Sequence, residues 1–217
     1  MHSELFEPLA ALRIRRPVQP ARVALLAFKL ACDIAFCLVA APFLLLLALI
    51  LLCLNPFLNP GPLLFVQDRM GKNGACFRLW KFRTMVPARK MQRAHNAPLE
   101  SHRINSFGQF LRKSRIDELP NLINILRGEM SLVGPRPDAW EHAVVLVKTI
   151  GRYPGRFRAR PGITGLAQVR NGYADCDRLI VRKARLDCIY IDRGCLRLEL
   201  HILLQTVKIL LTGFGAK

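Results

Sequence analysis

From Ile34 to Gln67 the chain runs for 34 residues without a charge, and Ile34 to Leu54 holds no charged, amide or hydroxyl side chain. As one straight helix such a run is about 50 Å long, against a hydrocarbon core of about 30 Å. Two full spans need about 40 apolar residues plus a turn. Extending back to Val23 reaches that count only by submerging Lys29 and Asp33, at roughly 2.5–3.5 kcal/mol each near mid-bilayer. A single span fits by length. The flanks oppose it: Arg13, Arg15, Arg16, Arg22 and Lys29 precede the run, and Arg69, Lys72, Arg78, Lys81 and Arg83 follow it. Positive charge favours the cytoplasmic side, and here both flanks are positive. Pro42 lies inside the run, where it removes a backbone hydrogen bond and bends a helix. The expectation is therefore a helix–break–helix over 23–66, broken at Pro42, that enters and leaves the bilayer by one face. A basic segment, 1–22, precedes it, and a cytosolic domain, 67–217, follows.

Composition narrows the classes further. The 217 residues carry 33 Lys+Arg against 15 Asp+Glu, a net charge of +18, yet mean hydropathy is positive at +0.22. That apolar content excludes a disordered chain. The seven cysteines are odd in number and lack metal or redox spacing, so reduced thiols are expected rather than a disulfide framework. The apolar run starts too late and is too long for a cleaved signal peptide. Between Arg69 and Ile116 there are twelve basic residues and one acid, Glu100. Some of that charge suits anionic lipid headgroups, and some is a solvated face.

Three segments carry candidate chemistry. In the first, the alternation from Phe77 to Phe82 after a Gly-bearing turn predicts a short strand. Its basic–aromatic mix lacks the signatures of an RNA-binding sheet, so nucleic acid is not expected as a partner. In the second, Leu119, Leu122, Ile123 and Leu126 keep helical spacing, and Gly128 can end the helix. On residues alone Asp117 reads first as the N-cap of that helix. The other reading makes it a nucleophile: a carboxylate can attack phosphorus when cations neutralise the repulsion, and Arg112, Lys113 and Arg115 lie just upstream. Glu118 could then hold Mg²⁺, which takes one or two carboxylates plus phosphate oxygens.

In the third, Pro135 and Pro137 stiffen the backbone around Arg136, which suits a guanidinium fixed against phosphate. The Arg152, Arg156, Arg158, Arg160 cluster leads into a Gly-rich turn able to offer N–H groups to an anion. No Walker A or dinucleotide-binding glycine pattern is present. Near the end, Leu200, Leu203, Leu204, Val207, Leu210 and Leu211 form one helical stripe. Core packing is the default for such a stripe, with an interfacial amphipathic helix as its competitor.

Taken in order, these motifs resemble the bacterial sugar transferase family, the monotopic phosphoglycosyl transferases. The resemblance rests on Gly61-Pro62 with Gln67 and Arg69, on Lys81 to Met85, and on Leu111-Arg112 with Asp117-Glu118-Leu119-Pro120. It continues through Leu126 to Pro137, Arg160 to Val169, and Leu186-Asp187 with Tyr190, covering roughly 23–212. It implies a mainly helical α+β fold with short strands, a re-entrant membrane helix and amphipathic interfacial helices. It also implies sugar-1-phosphate transfer from a nucleoside diphosphate sugar, usually UDP-linked, to polyprenyl phosphate at the cytoplasmic face of the bacterial inner membrane. In that reading Asp117 forms a covalent phosphosugar intermediate, Glu118 ligates Mg²⁺, and Arg112, Arg136 and Arg160 bind phosphate. Lys81, Arg83 and Asp187, which fall in matched motifs, join them as substrate-binding candidates.

Departures from the family pattern are Leu30 after Lys29, Ala41 before Pro42, Ser101-His102-Arg103-Ile104-Asn105, and Arg170 to Tyr173. The sugar and the oligomeric state, a homo-oligomer included, are left open. The rival reading is a non-enzymatic basic adaptor on the membrane, binding anionic lipid or nucleic acid, which has no use for Asp117-Glu118.

Overall fold

The computed structural model describes residues 20–86, 101–171 and 177–212. Most of the expected basic segment 1–22 lies outside them. The architecture is mainly helical with four short strands among the described residues.

Helix α1, Pro20–Leu58, is 39 residues long and runs through Pro42 and Pro56 without interruption. The expected division into two helices at Pro42 is thus corrected: the proline withdraws its own N–H, and the turns before and after it continue as one helix. Its section Val23–Leu58 is long and apolar enough to cross a membrane. One stripe of α1 nevertheless packs on the rest of the protein from end to end. At its start, Lys29 Nζ donates to Val133 O (2.8 Å) and Tyr190 OH (3.1 Å) and pairs with Glu199 (2.5 Å). One turn on, Asp33 accepts from the Leu132 N–H at 3.1 Å. Cys37, Ala40 and Leu44 then join the core around Leu122, Ile125 and Met130. Leu47, Ala48 and Leu51 pack with Phe82 and Leu111. The steps of three and four residues are those of one helical face. Residues such as Phe36, Val39, Phe43, Leu46 and Phe57 are exposed apolar side chains.

Strands β1, Leu64–Met70, and β2, Cys76–Phe82, form an antiparallel hairpin in the register Leu64↔Phe82 to Met70↔Cys76. The strand expected at Phe77 to Phe82 is present, and β1 straddles the expected 66/67 domain boundary. Helix α2, Ser106–Lys113, is capped by Asn105, whose side chain accepts from the Gly108 N–H at 2.7 Å. Arg115 then takes a left-handed conformation (φ 57°) that turns the chain into a 3₁₀ turn, Ile116–Glu118. Helix α3, Asn121–Leu126, follows and ends at Gly128, whose φ of +74° is the left-handed stop expected of it.

Strands β3, Ser131–Val133, and β4, Gly162–Thr164, pair in parallel. The loops around them cross closely: a side chain at Gly134 would sit 2.5 Å from Arg160 O, and one at Gly162 would collide with Gly134. Gly162 N–H donates to Pro135 O at 3.0 Å and Gly134 N–H to Thr164 O at 2.8 Å. In the Gly-rich turn expected to offer N–H groups to an anion, the Gly162 amide is therefore spent on the crossing. The glycines are required because two backbones meet.

Helices α4 (Trp140–Thr149), α5 (Leu166–Asn171), α6 (Asp177–Arg193) and α7 (Leu196–Thr212) complete the fold. In α7 Ile202 is fully buried, but the apolar stripe is not: Leu204 is 70% and Leu211 82% exposed. Core packing, the default for this stripe, is overturned. The side of α7 that faces the protein is instead built on Ile202, Glu199 and Thr206, the last bonded to Thr164 at 2.7 Å.

Candidate active site

The 3₁₀ turn sets Asp117 and Glu118 side by side, and their surroundings differ sharply. Glu118 is enclosed by cations. Its Oε1 takes Lys81 Nζ at 2.9 Å and Arg136 Nη2, its Oε2 takes Arg136 Nη1 at 3.1 Å, and Arg115 lies at 3.8 Å. Burial alone would raise its pKa, but Arg136 and then Lys81 overcome that and hold the carboxyl well below the usual range. Lys81 is lowered by burial, with Glu118 opposing.

Asp117 is 8% exposed, and its Oδ1 is buried with no hydrogen-bond partner. Burial raises its pKa, only partly offset by Lys81, Arg112 and Arg136, while Glu118 adds to the rise. The capping role expected on residues alone is corrected here. Helix α3 starts at Asn121 with Pro120 as its cap residue and no side-chain cap bond. Asp117 is thus a buried, more basic carboxylate whose Oδ1 serves no hydrogen bond among the described residues, in front of a set of cations.

The structure brings Asp117, Glu118, Lys81, Arg112 and Arg136 together. Arg112 is steadied by its Nε bond to Thr84 Oγ1 at 2.8 Å. A cleft beside them is lined by Arg69, Lys81, Asn121, Arg136, Pro137 and Gly162, among others. Arg69, in the resemblance but not among the expected site residues, donates to Pro137 O at 2.9 Å.

The other expected site residues stand elsewhere. Arg160 is half-buried, with Nη2 beside Gly128 past the C-terminal end of α3. Arg83 is engaged away from the cleft: its guanidinium donates to the carbonyls of Asn59 (2.5 Å), Pro60 (2.9 Å), Pro62 (2.6 Å) and Met85 (3.3 Å) and to Asn59 Oδ1. All five of its N–H groups are engaged in tying the exit of α1 to the end of β2. Asp187 is fully buried against Arg156, with Arg156 Nε at 3.0 Å, and does not face the cleft.

That pair belongs to a network absent from the expected site. Arg156 joins Asp187, Asp138 and the Tyr153 hydroxyl, and Lys183 pairs with Asp138 at 2.6 Å. Arg156 Nη2 also donates to the Arg136 carbonyl at 2.6 Å, so the network holds the backbone of the arginine that clamps Glu118. The proline on each side of Arg136 was the available sequence signal of a fixed backbone.

The carboxylate that would hold a magnesium ion is Glu118, whose two oxygens are shared by Lys81 and Arg136, one of which would yield its place to the ion. Asp117 Oδ1 is an orphaned acceptor and Glu118 is ionised beside it, whereas among the described residues no group of three or more His, Cys, Asp or Glu converges on a metal position. Glu118 would supply one position of the coordination sphere and leave the remainder to phosphate oxygens and water.

Comparison with known proteins follows the same boundaries. The family model described as bacterial sugar transferase matches residues 24–213. A UDP-glucose:undecaprenyl-phosphate glucose-1-phosphate transferase of Caulobacter vibrioides is 43% identical over 178 residues, covering 81% of this chain and 65% of that protein. A UDP-N-acetylgalactosamine-undecaprenyl-phosphate N-acetylgalactosaminephosphotransferase of Aeromonas hydrophila is 41% identical over 160 residues, 73% of this chain and 38% of the relative. An exopolysaccharide production protein of Rhizobium leguminosarum bv. phaseoli is 36% identical over 191 residues, 83% of this chain and 92% of the relative. The chain thus spans between about two fifths and two thirds of the first two relatives' own lengths.

Proposed function

Since the chain belongs to the bacterial sugar transferase family, we propose that it transfers a sugar-1-phosphate from a UDP-sugar to polyprenyl phosphate. The observation that carries this is the unpartnered, buried Asp117 carboxylate among Lys81, Arg112 and Arg136. An Asp117 oxygen attacks the sugar-bearing phosphorus, the phosphoanhydride bond breaks, and UMP leaves with that bond's electron pair. The acceptor's phosphate oxygen then attacks the same phosphorus and returns Asp117 to a free carboxylate, giving polyprenyl diphosphate-sugar. Lys81, Arg112 and Arg136 offset the charge that gathers on the phosphoryl oxygens. Glu118, kept ionised by its cations, would hold Mg²⁺, which when bound neutralises phosphate charge.

The same reading places the chain on one face of the inner membrane. The packed stripe of α1 supports this, because its start touches β3, α6 and α7 while its end touches β2 and α2. These contacts, from Lys29 to Leu51, lie about 33 Å apart along the helix, and crossing the bilayer would carry them to opposite sides. The exposed side chains of α1 and the bare stripe of α7 then provide apolar surface for lipid. Single cysteines at Arg16→Cys and Lys72→Cys, in a background free of the native thiols, should both resist an external membrane-impermeant label. Labelling of either from outside marks a true span.

The activity is tested by UMP release from a panel of UDP-sugars, with polyprenyl phosphate and Mg²⁺, by the full chain in detergent. One or a few donors should release UMP, and EDTA should stop it. A silent panel returns the chain to the adaptor reading.

A further inference from the structure

Asn121 is 2% exposed, yet among the described residues its side chain forms no hydrogen bond, and its buried Oδ1 has no donor. A buried amide oxygen left unpaired costs about 1–3 kcal/mol. Nothing in the packing of α3 requires it, since Leu122 and Ile125 make the core contacts of that helix. The residue does face something: it lines the cleft with Lys81, Arg69 and Arg136, three residues after Glu118. That cleft offers cations for phosphate and, at Asn121, an acceptor that phosphate cannot satisfy.

We infer that Asn121 is a specificity-determining residue whose Oδ1 accepts a hydrogen bond from a hydroxyl of the nucleotide sugar while the cations take its phosphates. The inference rests on the proposed transferase activity and deepens it. A neutral hydroxyl is the matching donor, because it can lie next to a phosphate held by cations and present hydrogen to the amide. The hydroxyl belongs either to the transferred sugar or to the ribose, and both are reached from the phosphates.

Two measurements separate this role from a structural one. An unpaired buried acceptor destabilises the free protein, so Asn121→Leu, which removes it at similar volume, should raise the melting temperature while lowering kcat/KM on the order of 10- to 100-fold. A structural asparagine would lower both. The second measurement uses the donor that wild type prefers and analogues lacking one hydroxyl each, on the hexose or on the ribose. Wild type should lose on the order of 10- to 100-fold with one of them. Asn121→Leu should show no additional loss with that analogue, and Asn121→Asp, which keeps an acceptor, should still discriminate. The analogue that responds identifies hexose or ribose.

If wild type turns over but Asn121→Leu keeps its kcat/KM and its discrimination, or melts lower, the inference is overturned and the activity stands. If wild type releases no UMP from any donor, the activity fails and takes the inference with it.

Discussion

Asp117→Asn is expected to abolish UMP release while leaving the protein as stable as wild type or more so. The loss should be on the order of 10⁴-fold or greater, the scale seen when a covalent nucleophile is removed. The stability claim follows from the same environment. Burial raises the folded pKa of Asp117 above its unfolded value. A carboxyl with a raised folded pKa is stabilising when protonated and loses that contribution as pH rises, so at pH 7 its ionised form costs stability. The neutral amide removes the buried charge, and no hydrogen bond to Oδ1 is lost because none exists. The variant should also fail to gain the mass of a phosphosugar on the peptide containing Asp117 when wild type, given donor without lipid, does gain it. In wild type the acid limb of kcat/KM should lie above the ordinary aspartate value of about 4. Turnover by Asp117→Asn, or a variant that melts well below wild type, would remove Asp117 from the nucleophile's role.

The path from sequence to this site was uneven, for reasons that separate local from distant physics. Strand β2 was readable because alternation is a local pattern, and Gly128 because a left-handed stop favours one residue type. β1, Leu64–Met70, lacks clean alternation and exists because β2 pairs with it in the hairpin. The cap reading of Asp117 fails for a local reason: Arg115 takes a positive φ that no glycine announces, which tightens the turn and delays the helix to Asn121. Arg83 matched a family motif but is consumed by carbonyls 21 to 24 residues away. Nothing in its neighbours declares that. The α7 stripe was visible as amphipathic, yet which side the protein covers depends on Ile202 meeting the rest of the fold. Asn121 was invisible for the opposite reason: its signal is a missing partner, and absence of a bond has no sequence pattern.

The largest stability effect is expected from Arg156→Met. Arg156 is buried and closes the network from four directions, contacting Asp138, Asp187, the Tyr153 hydroxyl and the Arg136 carbonyl. Its guanidinium also lies 5.0 Å from the Tyr153 ring. Removing it leaves the buried Asp187 and the partly buried Asp138 with Lys183 as their remaining cation, a change that costs about 3–5 kcal/mol. The cost should depend on pH, with a definite sign. In wild type burial would raise Asp138, but Arg156 and Lys183 overcome it and hold the carboxyl far below its ordinary value. A depressed carboxylate contributes stability above its unfolded pKa of about 3.9 and loses it as pH falls toward the folded value. Asp187 differs: burial wins there and raises its pKa despite Arg156. Without Arg156 both carboxyls titrate higher, so the variant can protonate them on folding and escapes the acid loss that wild type suffers. The stability difference between the two proteins should therefore be greatest near pH 7 and shrink below pH 4, as read by denaturant unfolding in detergent at both values. Arg156→Lys, which keeps the charge but not the fork, should fall between them. A difference equal at both pH values would mean that packing rather than charge makes this residue necessary. Because Arg156 also holds the Arg136 carbonyl, any folded fraction of Arg156→Met should show a raised KM, the guanidinium at Glu118 having lost its fixed backbone.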